Sequence, residues 1–169
     1  MSDNLWPDLI KRPAERKPEE ILKEQCDLIN EKYARVICAR MQRLDKSLAE
    51  YTKAPLLDMT EAMASLTVPR TVESFLGETD YGRSITYELV ITSPKIPSYK
   101  YRILFLQHGL SAYPTYLYVE KPIAKEFQTF SSPEKIESEE AFMQVIAQVL
   151  GSARVREVLS RIISYDNEF

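Results

Sequence analysis

Between residues 85 and 121 three apolar runs follow one another, each closed by proline or glycine. Tyr87, Leu89 and Ile91 alternate with Thr86, Glu88 and Thr92. That period of two belongs to a strand with one buried face. Pro94 and Pro97 end the run and make a turn. Tyr99, Tyr101, Ile103 and Phe105 then share one face, against Lys100 and Arg102 on the other. Leu104 and Leu106 make the end of this second strand apolar on both faces, which predicts a central position. Gly109 to Pro114 turn the chain again. Tyr116-Leu117-Tyr118-Val119 is the third strand, closed by Pro122. Three strands joined by short loops form an antiparallel meander, here at about 86–120.

A meander must bury its apolar face, and two helical stretches can cover it. Pro18 suits the first helical position, because its ring presets φ and its missing donor costs nothing there. Glu19 and Glu20 suit the positive end of the helix dipole. Leu22, Cys26, Ile29 and Tyr33 form one stripe, so residues 18–33 are a helix. At the other end Ser138 caps a helix bearing Phe142, Val145, Ile146, Val149 and Leu150 on one face. Gly151 stops it and Ser152 caps afresh, ahead of Val155, Val158, Leu159, Ile162 and Ile163. One kinked helix or two amphipathic helices result. The polar stretch 128–138 reads as a loop. The fold class is therefore α+β.

Two stretches are harder to place. Residues 34–43 fit neither period; a strand is preferred, since a helix running on to Tyr51 would exceed roughly thirty residues. In 52–82, Leu66-Thr67-Val68 and Thr71–Leu76 are candidate strands, broken by Pro55 and Pro69. Residues 1–17, with Pro7, Pro13 and many charges, read as an extended arm whose apolar residues include Leu5, Trp6, Leu9 and Ile10. Residues 18–169 form a single domain, the usual outcome for a chain of 169 residues.

Composition narrows the function classes. The net charge of −3 argues against non-specific nucleic-acid binding and against anionic membranes, which both need a basic excess. Cys26, Cys38 and His108 are too few for a Cys/His zinc site, so no metal or cofactor is expected. The opening Met-Ser-Asp-Asn-Leu-Trp-Pro lacks the basic and apolar regions of a signal peptide, and no run is long enough to span a bilayer. The expected location is the cytoplasm, with both thiols reduced.

Three candidate sites follow. Trp6, Tyr113, Tyr116 and Tyr118 could anchor a protein partner or a second copy of the chain, because Trp and Tyr concentrate at interface hot spots. The expected function is accordingly a non-catalytic interaction module: accessory, regulatory, immunity-like or chaperone-like. The alternative is a small hydrolase or nuclease in which His108 works with the loop carboxylates Glu78 and Asp80. A second alternative stacks single-stranded nucleic acid on the tyrosines beside Arg83, Lys100 and Arg102. Arg154, Glu157 and Arg161 read as a solvated helix face.

The helix opening Pro18-Glu19-Glu20-Ile21-Leu22-Lys23-Glu24-Gln25, the run Ser98-Tyr99-Lys100-Tyr101-Arg102-Ile103-Leu104-Phe105, then Ala112-Tyr113-Pro114-Thr115-Tyr116, and the ending Glu139-Glu140-Ala141-Phe142 with a second helix from Ser152 resemble a group of small uncharacterised bacterial cytoplasmic proteins. The resemblance covers the first helix and the second half of the chain and leaves 44–84 aside as an insertion. It implies a compact bacterial cytoplasmic protein. It carries no activity, ligand or catalytic residue with it.

Overall fold

A computed structural model describes residues 15–44, 85–109, 111–128 and 133–167. The element order is α1 (Pro18–Tyr33), β1 (Cys38–Arg43), β2 (Ile85–Ser93), β3 (Ile96–His108), β4 (Thr115–Val119), α2 (Lys121–Ala124), β5 (Glu134–Ile136), α3 (Glu139–Leu150) and α4 (Ala153–Asn167). The strands form one antiparallel sheet in the order β1-β2-β3-β4-β5, a meander of five strands rather than three. The architecture is α+β. The Trp6 arm and the candidate strands of 52–82 lie outside the described residues.

The helices start and stop where local chemistry predicts. Pro18 opens α1, and Glu20 accepts a hydrogen bond from the Lys17 N–H at 3.4 Å. The Ser138 hydroxyl accepts from the Ala141 N–H at 3.2 Å and begins α3. Gly151 ends α3, where a Cβ would meet the Ala147 carbonyl oxygen at 2.9 Å. The Ser152 hydroxyl then accepts from the Val155 N–H at 3.2 Å, and Glu126 accepts from the Ala153 and Arg154 N–H groups at 2.8 and 2.7 Å. So α3 and α4 are two helices, and the start of α4 is capped twice.

Residues 34–43 resolve into a turn followed by β1, the outermost strand. Asn30 of α1 fixes it there. Its amide donates to the Ala39 carbonyl at 2.8 Å and accepts from the Ala39 N–H at 2.7 Å. An outer strand is exposed to unwanted pairing, and this side chain occupies one station of it. Asn30→Ala should cost about 2 kcal/mol in urea unfolding, since it strips partners from both polar groups of nearly buried Ala39. A loss below about 0.5 kcal/mol would mean that water replaces the amide without penalty.

The second strand departs from the simple alternation. Leu89 pairs with Leu104, but Val90 pairs with Arg102, so Ile103 is an extra residue in β3. This bulge reverses which parity faces the helices. Tyr99, Tyr101 and Ile103 face the main core before it, and Leu104 and Leu106 do so after it. Phe105 is thereby placed on the opposite face, with Tyr118, Tyr116 and Leu44. The expectation that Phe105 joins Ile103 is corrected by that one inserted residue.

Three smaller differences remain. Only Pro94 and Lys95 form the turn, and Pro97 lies inside β3, next to Ser98 in the left-handed region at φ 66°. Pro122 does not merely close β4; it sits in the first turn of α2, where proline is tolerated. The loop 128–138 contains β5, which pairs with β4 through Ile136, Lys135 and Glu134. A three-residue strand with one buried side chain leaves almost no periodicity to read.

The main core lies between the sheet and α1, α3 and α4, around Leu22, Ile91, Leu104, Leu117, Phe142 and Val149. On the other face Glu88 is buried, at 3% exposure, and pairs with Lys100 at 2.7 Å and Arg102 at 3.0 Å.

Candidate functional site

His108 ends β3 and is 4% exposed. Its Nδ1 lies 2.6 Å from the Gly109 carbonyl oxygen. A carbonyl only accepts, so Nδ1 carries the hydrogen. Its Nε2 lies 3.0 Å from Oε2 of Glu19, in the first turn of α1. The two atoms meet off the hydrogen-bond axis, and both are buried without another partner among the described residues. The contact is therefore close without being a well-formed hydrogen bond. One face of the imidazole stacks on Tyr87, with centroids 6.1 Å apart and 20° between planes. Both nitrogens thus face protein atoms.

Glu78 and Asp80 lie outside the described residues. Burial pushes the Cys26 thiol up to about 12, with Asp27 and Cys38 adding to it, so at neutral pH it is a thiol, not a nucleophilic thiolate. Cys38 is half-buried, and its sulfur accepts from Arg40 Nε at 3.2 Å. Among the described residues no group of three or more His, Cys, Asp or Glu could hold a metal ion.

Around this histidine a polar clasp closes the same end of the domain. Arg16 Nε donates to Glu139 at 2.9 Å, its backbone N–H to the other carboxylate oxygen at 2.9 Å, and its Nη1 to Glu24 at 3.0 Å. The hydrogen bonds from Arg16 hold the Glu139 carboxyl below the usual range. The Tyr113 hydroxyl donates to the Arg16 carbonyl at 3.1 Å, and its ring meets Phe142 edge-on at 6.4 Å. Burial pushes the Tyr113 phenol up to about 12, with Glu139, Glu15 and Glu19 adding to it. The last residues of the arm, Arg16 and Lys17, are therefore tied to α1, α3 and the β3–β4 turn.

The tyrosines do not form one exposed strip. Tyr118 is buried, and its hydroxyl donates to Gln107 at 3.3 Å. Tyr116 is half-buried beside it in the smaller cluster. Tyr118 is covered because this face of the sheet is packed as well. Lys100 and Arg102 are committed to Glu88, and the Arg102 guanidinium lies 4.4 Å over the Phe105 ring. On α4, Arg154 pairs with Glu157 at 3.0 Å and sits 5.6 Å from the Tyr101 ring, so that helix face is paired as well as solvated.

A different feature is open. A groove of about 330 Å³ runs between α1, the end of α3 and the first half of α4, with the sheet as its floor. Leu89, Ile91 and Ile103 make the floor, and Leu22, Cys26, Val155 and Leu159 make the walls. Gln25 and Lys32 are its only side chains with strongly polar ends besides the Tyr33 phenol. Leu28 stands at the rim, 55% exposed. The sequence reveals these residues as apolar stripes. What it does not reveal is that the helices leave a depression at Leu28, over side chains that are themselves buried.

Comparison of the chain with known families, curated proteins and solved structures gives no match. Among the described residues no helix is long and apolar enough to cross a membrane.

Proposed function

We propose that the chain is a non-catalytic interaction protein that receives its partner over the groove between α1 and α4. The observation that carries this reading is exposed Leu28 beside an apolar depression between α1 and α4. Large apolar side chains at the mouth of a concave apolar surface mark binding sites on soluble proteins. His108 supports the same reading, because it is buried, with Nδ1 bonded to the Gly109 carbonyl, Nε2 facing Glu19 and the ring stacked on Tyr87. The partner is another protein or a second copy of the chain, in a bacterial cytoplasm.

Capture with tagged protein from its native cells tests this. Leu28→Glu should abolish recovery of the partner while shifting the melting temperature by less than about 2 °C, because the side chain is largely exposed. Equal recovery by the variant and the parent would overturn the groove as the binding surface.

A further inference from the structure

The charges on α1 around Leu28 are arranged so that the helix complements itself. We infer that the partner at this surface is a second copy of the chain, with the two α1 helices packed antiparallel across Leu28. The inference rests on reading the surface beside Leu28 as the binding surface.

Leu28 is 55% exposed, whereas Leu22 and Ile91 beneath the depression beside it are buried. The depression is therefore used from above, by a surface that lies across it. A helix suits that position, because its backbone N–H and C=O groups are already paired within it. In a two-fold dimer one patch meets the same patch, so the exposed leucine of each copy covers the apolar rim of the other. Leu28 lies five residues before the end of α1 at Tyr33. The antiparallel overlap then spans residues 23–33, about 16 Å or three turns. Such a contact is smaller than the standard interface of roughly 1,600 Å², so the dimer is a weak one, with Kd on the order of 100 μM.

Charge sets the direction. Glu24 stands four residues before Leu28 and Lys32 four after; Gln25 stands three before and Glu31 three after. These spacings put all four beside Leu28 on the helix surface. With the helices antiparallel and Leu28 opposite Leu28, Glu24 comes level with Lys32 of the second copy, and Gln25 with Glu31. Each level joins a donor to a carboxylate, and the two-fold axis makes each pairing twice. With the helices parallel, Glu24 would meet Glu24, Glu31 would meet Glu31 and Lys32 would meet Lys32. Every charged level would then repel, so only the antiparallel arrangement is complementary. Among the described residues Lys32 has no acidic partner, and its ammonium rests 5.4 Å from the Tyr33 ring centroid. The Glu24 side chain is 57% exposed and receives Arg16 on Oε2, which leaves Oε1 for the lysine of the second copy.

Sedimentation equilibrium of the full chain, from about 20 μM to about 1 mM, brackets that Kd and tests the inference. The parent should follow a monomer–dimer equilibrium, and Leu28→Glu should be monomeric throughout. Lys32→Glu should weaken the dimer roughly tenfold, because two attractive pairs become repulsive, and Glu24→Lys should do the same. All three positions are exposed, so the variants keep the fold. An equimolar mixture of the Lys32→Glu and Glu24→Lys chains should associate more tightly than either chain alone, since every level in the mixed dimer again joins opposite charges. A local role for either residue would not produce that rescue. A parent chain that is monomeric at about 1 mM overturns the inference. So does a dimer that Leu28→Glu leaves intact, or a mixture no tighter than its components. A monomeric chain whose capture of another protein still depends on Leu28 removes only the second copy. A monomeric chain without Leu28-dependent capture removes the binding surface as well.

Discussion

Phe142→Ala should lower the unfolding free energy by about 3–5 kcal/mol, the cost of emptying a fully buried aromatic site. Phe142 is 0% exposed and belongs to the main core. A domain of this size has about 5–15 kcal/mol in total, so the variant should lose between roughly a fifth and all of it. The effect reaches beyond the cavity, because Phe142 supports the Tyr113 ring edge-on, and the Tyr113 hydroxyl holds the Arg16 carbonyl. Its neighbour Met143 is the control. Met143 is 44% exposed and touches the Arg16 guanidinium through sulfur at 3.5 Å. Met143→Ala should cost within about 0.5 kcal/mol. Urea unfolding of the two variants and the parent separates them. A Phe142→Ala cost below about 1 kcal/mol would mean that α3 does not close the core as described.

The parts of the fold legible in the sequence are those written in local chemistry. Pro18, Ser138, Gly151 and Ser152 mark helix ends by backbone satisfaction, and α1, α3 and α4 begin or end on them. The positions of β2 and β4 follow from their alternation, but β2 is buried on both faces rather than one, with Thr86, Glu88 and Val90 covered as well as Leu89 and Ile91. Strand β3 shows the limit. Alternation assumes one residue per pleat, whereas Ile103 is inserted between two correctly alternating halves. From the sequence alone this looks like a strand apolar on both faces. Strand β5 and helix α2 are too short for any period. The His108–Glu19 contact joins the end of β3 to the start of α1, and each residue has an adequate local reading: a turn histidine and a dipole-matching glutamate. Nothing local pairs them. The groove is absent from sequence reasoning for the converse reason: Leu22, Cys26, Ile29 and Leu159 follow the pattern of filled core, and the depression beside Leu28 depends on how far apart two helices settle.

Glu19→Ala should cost about 1–3 kcal/mol, the range for leaving a buried polar atom, here His108 Nε2, without a counterpart. Loss of the carboxylate leaves His108 Nε2 buried with nothing recorded opposite it. His108→Phe should cost less, since a phenyl ring keeps the stack on Tyr87 and Glu19 can turn toward water. The double variant should cost less than the sum, with a coupling of about 1–2 kcal/mol that isolates the pair from the packing around it. Coupling near zero would show that the two groups sit 3.0 Å apart without stabilising each other. The result bears on function. A histidine positioned for catalysis must leave one nitrogen within reach of substrate. If the cycle shows strong coupling, His108 serves to tie the start of α1, and with it one wall of the groove, to the end of β3.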